Sequence, residues 1–211
     1  MRLIKFAHAC VRLESDGGVL VIDPGVFSDA AALDGADAVL VTHEHADHLN
    51  VDALVAAIGA RPGLRVFTAA AVAPKLDAVA GAVTAVAPGD RFEAAGYQVQ
   101  AFGGTHAEIH PDIPRVANVA FLVNGLVYHP GDSLFAPEDT TVDTLLLPVS
   151  GPWLKTGEAV DFARAVAPRQ ALAIHEALFN EVGLGLVDNI FKGLSRTDFQ
   201  RLPAGGEISI S

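Results

Sequence analysis

The segment Thr42-His43-Glu44-His45-Ala46-Asp47-His48-Leu49 sets three imidazoles and the Asp47 carboxylate within six residues, directly behind the apolar run Ala38–Val41. Imidazole nitrogen and carboxylate oxygen are the ligand types that first-row divalent cations such as zinc take, and a buried cluster of them needs such a cation to be stable. Residues two apart in an extended chain point to one side, so His43 and His45 can grip one ion, while the turn into the next helix re-aims Asp47 and His48 toward a second. On such an ion the pKa of water falls from about 15.7 to about 7, and two ions roughly 3.5–4 Å apart can also polarise a scissile group and hold the leaving oxygen. The pattern therefore points to hydrolysis, with Asp47 orienting the attacking water or taking its proton.

The partners that would complete such a centre lie elsewhere in the chain, at matching places. The run Val99–Phe102 leads to His106, Leu126–Tyr128 leads to Asp132, and Leu172–Ile174 leads to His175. Ligands gather beyond strand ends in helix-flanked sheets, because rigid backbones there aim side chains into a common cleft. His43, His45 and His106 then supply three nitrogens to one ion, Asp47, His48 and His175 supply a mixed set to the other, and Asp132 bridges them. Each ion keeps an open position for water, which separates a catalytic site from a closed structural one. Gly103-Gly104 before His106 and Gly131 before Asp132 suit tight turns beside the centre.

The elements that must position these residues alternate between strand and helix, which predicts an α/β fold. The sequence predicts one strand over Leu3–Leu13 bent near His8, then strands Val19–Ile22 and Ala38–Val41, the last apolar enough to be covered on both faces. Asn50 can cap a helix whose stripe is Val51, Leu54, Val55 and Ile58. A strand Leu64–Phe67 and an Ala-rich helix Ala70–Ala80 with Pro74 in its first turn follow. Val83–Tyr128 reads as short strands, with Asn124-Gly125 a hairpin signal. Strand Thr144–Pro148, helix Gly157–Ala167, strand Ala171–Ile174 and a helix near Leu186–Lys192 complete the pattern.

No linker or repeat divides the 211 residues, so positions 1–211 are expected to form a single metallo-hydrolase domain. With 51% hydrophobic and 18% charged residues the composition is that of a compact globular enzyme. The net charge of −11 argues against a nucleic-acid partner and favours a small-molecule substrate. Charges interrupt the apolar stretches of the N-terminus, so neither a signal core nor a membrane span is read there, and the single cysteine, Cys10, agrees with a reducing compartment. A cytoplasmic protein is expected.

His43-x-His45-x-Asp47-His48, then His106, Asp132 within Pro130-Gly131-Asp132-Ser133, and His175 together resemble the metallo-β-lactamase superfamily of metal-dependent hydrolases. The opening Phe6-Ala7-His8-Ala9, followed by Val21-Ile22-Asp23-Pro24, and the ending Ala173-Ile174-His175 resemble its ascorbate-6-phosphate lactonase-like subgroup. The resemblance implies an αβ/βα four-layer sandwich, two sheets face to face, with a dinuclear site at one edge. It implies zinc as the usual metal, with manganese or iron in some branches. Glu44 departs from the pattern, standing where many members carry a small residue. One fold hosts many chemistries, so a small ester, lactone or phosphorylated substrate is set beside a phosphodiesterase or nuclease and a non-enzymatic metal-binding sensor.

Other residues carry two readings each. His8 reads first as a supporting or core hydrogen-bonding residue, and His129 likewise. His110 can touch substrate or belong to a solvated loop with Glu108 and Asp112. Arg115 and Lys155 are the cations nearest the expected mouth and can bind an anionic group or stay idle on the surface. Trp153 can wall the cleft or pack under a loop, and Cys10 reads as a small buried residue in the first strand.

Overall fold

Leu145, Leu146 and Leu147 follow one another in a strand buried on both faces, and their alternation accounts for the layering of the molecule. Leu146 packs into the larger apolar core, whereas Leu145 and Leu147 pack into a second core shared with helices. Successive side chains of a strand point to opposite faces, so a sheet sandwiched between another sheet and helices must be apolar at every position.

The computed structural model covers residues 1–211. The first sheet is built from β1 (Arg2–Lys5), β2 (Val11–Ser15), β3 (Gly18–Ile22), β4 (Ala38–Val41), β5 (Arg65–Ala69), β6 (Val83–Val86) and, from the far end of the chain, β14 (Glu207–Ser209). Its order is β14-β1-β2-β3-β4-β5-β6. The second comprises β7 (Arg91–Ala94), β8 (Tyr97–Thr105), β9 (Ala117–Val123), β10 (Val127–His129), β11 (Thr144–Pro148), β12 (Gln170–Ile174) and β13 (Asp198–Gln200), in the order β13-β12-β11-β10-β9-β8-β7. Helix α1 (Val51–Ala60) covers the first sheet, burying Leu54 and Ile58. Helices α2 (Thr156–Val166) and α3 (Glu181–Leu194) cover the second through Phe162, Ala163, Val187 and Phe191. Leu20, Leu40, Val99, Phe121 and Leu172 fill the space between the sheets. The layers are those of an αβ/βα sandwich.

Three predicted elements differ in detail. The strand expected over Leu3–Leu13 is two strands paired antiparallel, Leu3 opposite Leu13, because Ala7 and His8 take left-handed backbone angles (φ 74° and 47°) that reverse the chain. The Ala-rich stretch forms 3₁₀ turns over Ala73–Ala82, broken at Leu76 and Val79, since a segment burying only Leu76 and Ala82 has little packing to sustain a regular helix. The last helix begins at Glu181, five residues before the expected start, where the Asn180 side chain accepts the Gly183 N–H at 3.0 Å. At Asn124-Gly125 both residues have positive φ (53° and 67°), as the tight connection from β9 to β10 requires.

Candidate metal centre

Strand direction brings the polar residues to one edge. β1 is antiparallel to β2 and β2 to β3, while β3 is parallel to β4, so β1, β3 and β4 all run the same way. Beyond their C-terminal ends come His8, Asp23 and the His43–His48 segment. In the second sheet β8, β10 and β12 share one direction, and beyond their ends come His106, Asp132 and His175. The Val119 N–H donates to the Thr42 carbonyl at 2.9 Å and the His175 N–H to the His8 carbonyl at 3.2 Å, joining the two sheets at this edge.

The side chains form two groups, His43, His45, His106 and Asp132 in one and His8, Asp47, His48 and His175 in the other, with the donor atoms of each group within 4.8 Å of one another. Asp132 lies between them. Its Oδ2 is 3.3 Å from His106 Nε2 and 3.8 Å from His43 Nε2, while its Oδ1 is 2.8 Å from His175 Nε2 and 3.0 Å from His48 Nε2. Within the first group His43 Nε2 is 3.1 Å from His45 Nδ1, and across the second His48 Nε2 is 2.9 Å from His175 Nε2. Donors bound at 2.0–2.1 Å in a tetrahedron lie about 3.3–3.4 Å apart, so these separations suit ligands around cations.

The far sides of three rings fix which nitrogen faces the centre. His43 Nδ1 donates to Thr42 Oγ1 (2.9 Å), His48 Nδ1 to Asp23 Oδ2 (2.6 Å) and His106 Nδ1 to the Ala107 carbonyl (2.5 Å). Each Nε2 lone pair is thereby directed inward. His106 Nε2 and Asp132 Oδ1 are buried and have no hydrogen-bond partner, a costly state that a cation would relieve. The chemistry of the donor set and these orphaned atoms fit divalent metal.

Electrostatics agree with that fit. Burial, with neighbouring imidazoles, holds the His43 pKa well below the ordinary histidine range, so it offers a lone pair. Burial disfavours charge on His48 too, but Asp132 and Asp23 outweigh it and raise its pKa well above the ordinary range, marking a place that attracts positive charge. Burial pushes Asp47 up, while the His8 hydrogen bond and the His48 and His175 charges pull it down further, to about 2. The same contest, with His48 and His175 winning, holds Asp132 well below the carboxylate range.

Several supporting residues were not singled out as functional by the sequence. Asp23 is fully buried and accepts the Thr42 N–H and Oγ1–H at 2.7 Å each besides its bond to His48. Its sequence signal is an acid set immediately after an apolar strand. Asn118 accepts the Asp132 N–H at 3.0 Å and donates to the Pro130 carbonyl at 2.9 Å. Gly131 permits this, since a Cβ there would lie 2.2 Å from Asn118 Oδ1 and the backbone has φ 60°. Lys5, 1% exposed, pairs with Glu176 at 2.8 Å and also reaches the His8 carbonyl; Glu176 accepts the His8 N–H at 2.9 Å. This pair clamps the turn carrying His8 to the turn carrying His175.

The remaining candidates separate clearly. His8 joins the second group through Asp47 Oδ2, at 3.0 Å from its Nε2. His129 is buried, donates to the Ala9 carbonyl at 2.9 Å and lies outside both groups. His110 is exposed beside Asp112 and is not brought to the centre. Trp153 is buried and donates to Asp132 Oδ2 at 2.9 Å. Arg115 donates from Nε to the His106 carbonyl at 2.8 Å, Lys155 pairs with Glu158 at 3.2 Å, and Glu44 pairs with Lys75 at 3.4 Å, away from the ligand-type atoms.

Residues 2–175 match the family described as a beta-lactamase superfamily domain. The chain belongs to that superfamily. Among its relatives, protein Rv0786c of Mycobacterium tuberculosis is 37% identical, over 99% of this chain and 100% of its own length. A protein of Aeropyrum pernix named UPF0173 metal-dependent hydrolase is 26% identical, over 84% of this chain and 83% of its own length. Igni18 of Ignicoccus hospitalis, described as a metallo hydrolase, superposes with a TM-score of 0.75 at 21% identity, over 98% of this chain and 97% of that one. This superfamily member therefore has the metallo-β-lactamase fold over nearly its whole length. No helix is long and apolar enough to cross a membrane.

Proposed function

We propose that residues 1–211 act as one catalytic unit, a dinuclear metal-dependent hydrolase of a small ester, lactone or phosphorylated substrate. The observation that carries this reading is Asp132, whose two oxygens face separate groups of ligand-type side chains. His43, His45 and His106 would hold one divalent cation, Asp47, His48 and His175 the other, and Asp132 both. Zinc is the first choice, because the set is rich in imidazole. Such cations would supply a hydroxide source at neutral pH and polarise the scissile group.

The chain's own residues divide the remaining work. Asp23, Thr42 and the Ala107 carbonyl hold the imidazoles in the tautomer that binds. Asp47 is 22% exposed and His45 is also part-exposed, whereas the rest of both groups is buried, so solvent and substrate meet the centre at these two. Asp47, ionised throughout the neutral range, is placed to orient the attacking water or to receive its proton. His8 fixes the Asp47 carboxylate through its 3.0 Å contact. The motifs that resemble a lactonase-like subgroup have defined local tasks here, Phe6–Ala9 presenting His8 and Val21–Pro24 presenting Asp23; the preference for a lactone or ester rests on that resemblance and not on these contacts. The names borne by the relatives support hydrolysis.

The test is metal analysis of protein supplemented with zinc, followed by a hydrolase panel of lactones, esters and bis(p-nitrophenyl) phosphate. Two ions per chain with turnover of a lactone or ester is expected. Clearly fewer than one ion per chain, or turnover of the phosphodiester alone, would overturn the reading.

A further inference from the structure

Alongside the first group of side chains runs a cleft of about 790 Å3, within the size range of small-molecule sites. Trp153, Leu134, Phe135 and Ile109 give it apolar walls. Trp153 ties the cleft to the centre, since its indole N–H is bonded to Asp132 and its ring lies 5.8 Å from that of His106. Phe135, 42% exposed, leaves an aromatic edge open to whatever enters.

The charges lining the cleft are not equivalent. Lys155 is engaged by Glu158, and Glu108 makes neither an ion pair nor a side-chain hydrogen bond that would fix it. Arg115 is anchored: its Nε donates to the His106 carbonyl at 2.8 Å, no carboxylate lies within ion-pair reach, and the two Nη groups are left without a protein acceptor. A guanidinium held at Nε while its Nη groups stay free offers a planar fork matched to an oxyanion, although Arg115 itself is exposed. The lining as a whole carries two cations and two carboxylates, so what sets Arg115 apart is that it has no carboxylate partner, whereas Lys155 is paired with Glu158.

We infer that the cleft takes the part of the substrate remote from the scissile bond, and that this part is an apolar, ring-sized group bearing an oxyanion, carboxylate or phosphate, held by Arg115. The substrate assignment rests on the hydrolase reading above, whereas the binding chemistry of the cleft rests on its own residues. The scissile group would then lie toward His106 and Asp132, with Trp153 beneath the apolar part.

The probe is 8-anilinonaphthalene-1-sulfonate, an aromatic anion whose sulfonate coordinates metals weakly, titrated by fluorescence into zinc-loaded protein beside its uncharged counterpart N-phenyl-1-naphthylamine. R115Q should weaken the anionic probe about tenfold or more, the range of charge-assisted hydrogen bonds, and leave the neutral probe within twofold. R115K should fall between R115Q and the unchanged protein, and K155Q should bind like the latter. F135D should weaken both probes. Displacement by 4-phenylbutyrate and by 4-phenylbutyl phosphate, with 4-phenylbutanol as control, tells carboxylate from phosphate as the favoured anion. The assignment is overturned if R115Q binds the anionic probe as tightly as before, if both probes weaken equally in R115Q, or if 4-phenylbutanol displaces as well as the anions. Turnover with no Arg115 contrast sinks the cleft assignment alone; an Arg115 contrast with no turnover of any ester or lactone sinks the hydrolase reading alone.

Discussion

Replacing Lys5 by methionine should cost far more than its place at the end of an edge-proximal strand suggests. The side chains of Lys5 and Glu176 are 2% and 13% exposed, and Nζ lies 2.8 Å from Glu176 Oε1. Methionine is close to the lysine stem in volume, so packing changes little and the effect is electrostatic. The Glu176 carboxylate would keep only the His8 N–H, at 2.9 Å, and lose its cation. Removing one partner of a buried pair costs about 3–5 kcal/mol, because the other charge is left uncompensated in the interior. At about 2–4 °C per kcal/mol for a chain of this size, Tm should fall by roughly 6–20 °C. The double variant K5M/E176M should recover most of that loss, giving a coupling of about 2 kcal/mol or more in the mutant cycle. Urea unfolding followed by circular dichroism measures all four proteins. A K5M cost below about 1 kcal/mol, or strict additivity in the cycle, would refute the reasoning.

Metal removal should lower stability in the same units: each ion present at a thousandfold its Kd contributes about 4 kcal/mol, so chelation of both should reduce Tm by roughly 16–32 °C in calorimetry, and restored zinc should reverse it. In metal-free protein Asp47 has a folded pKa of about 2 against about 3.9 in the unfolded chain, so its contribution, about 2 kcal/mol, is present above pH 4 and lost as pH falls toward 2. The stability advantage over D47N should therefore close across that window in acid titrations, and kcat of D47N should drop roughly 10²–10⁴-fold at neutral pH. Cys10 is buried and burial raises its thiol pKa to about 12, so a thiol reagent should find none reactive in the native protein and one per chain in urea.

Much of the centre was legible because its residues are conspicuous in sequence. A polar residue directly after an apolar strand has few structural uses, and the same placement recurs at His43, His106, Asp132 and His175, all of which meet. The helix after Asn50 was legible from cap and stripe together. Residues acting through others were harder to read: Asp23 also follows an apolar strand directly, but its role, like that of Lys5, depends on who stands opposite, across distances of 25 and 171 positions in the chain. Periodicity misled over Leu3–Leu13, where apolar residues continue through a reversal whose cause is backbone angle and not composition. The Ala-rich stretch misled for the opposite reason, since helix propensity there has no apolar face to reinforce it.

The contribution of both sheets to one centre has a consequence during synthesis. A nascent chain that has released only residues 1–105 holds His43, His45, Asp47 and His48 but none of the facing groups; the first group of side chains is complete once Asp132 emerges, and the second only when His175 does. On the proposed reading the two positions would fill in order, and a polypeptide cut short before β12 would keep the first group of side chains while lacking His175 from the second.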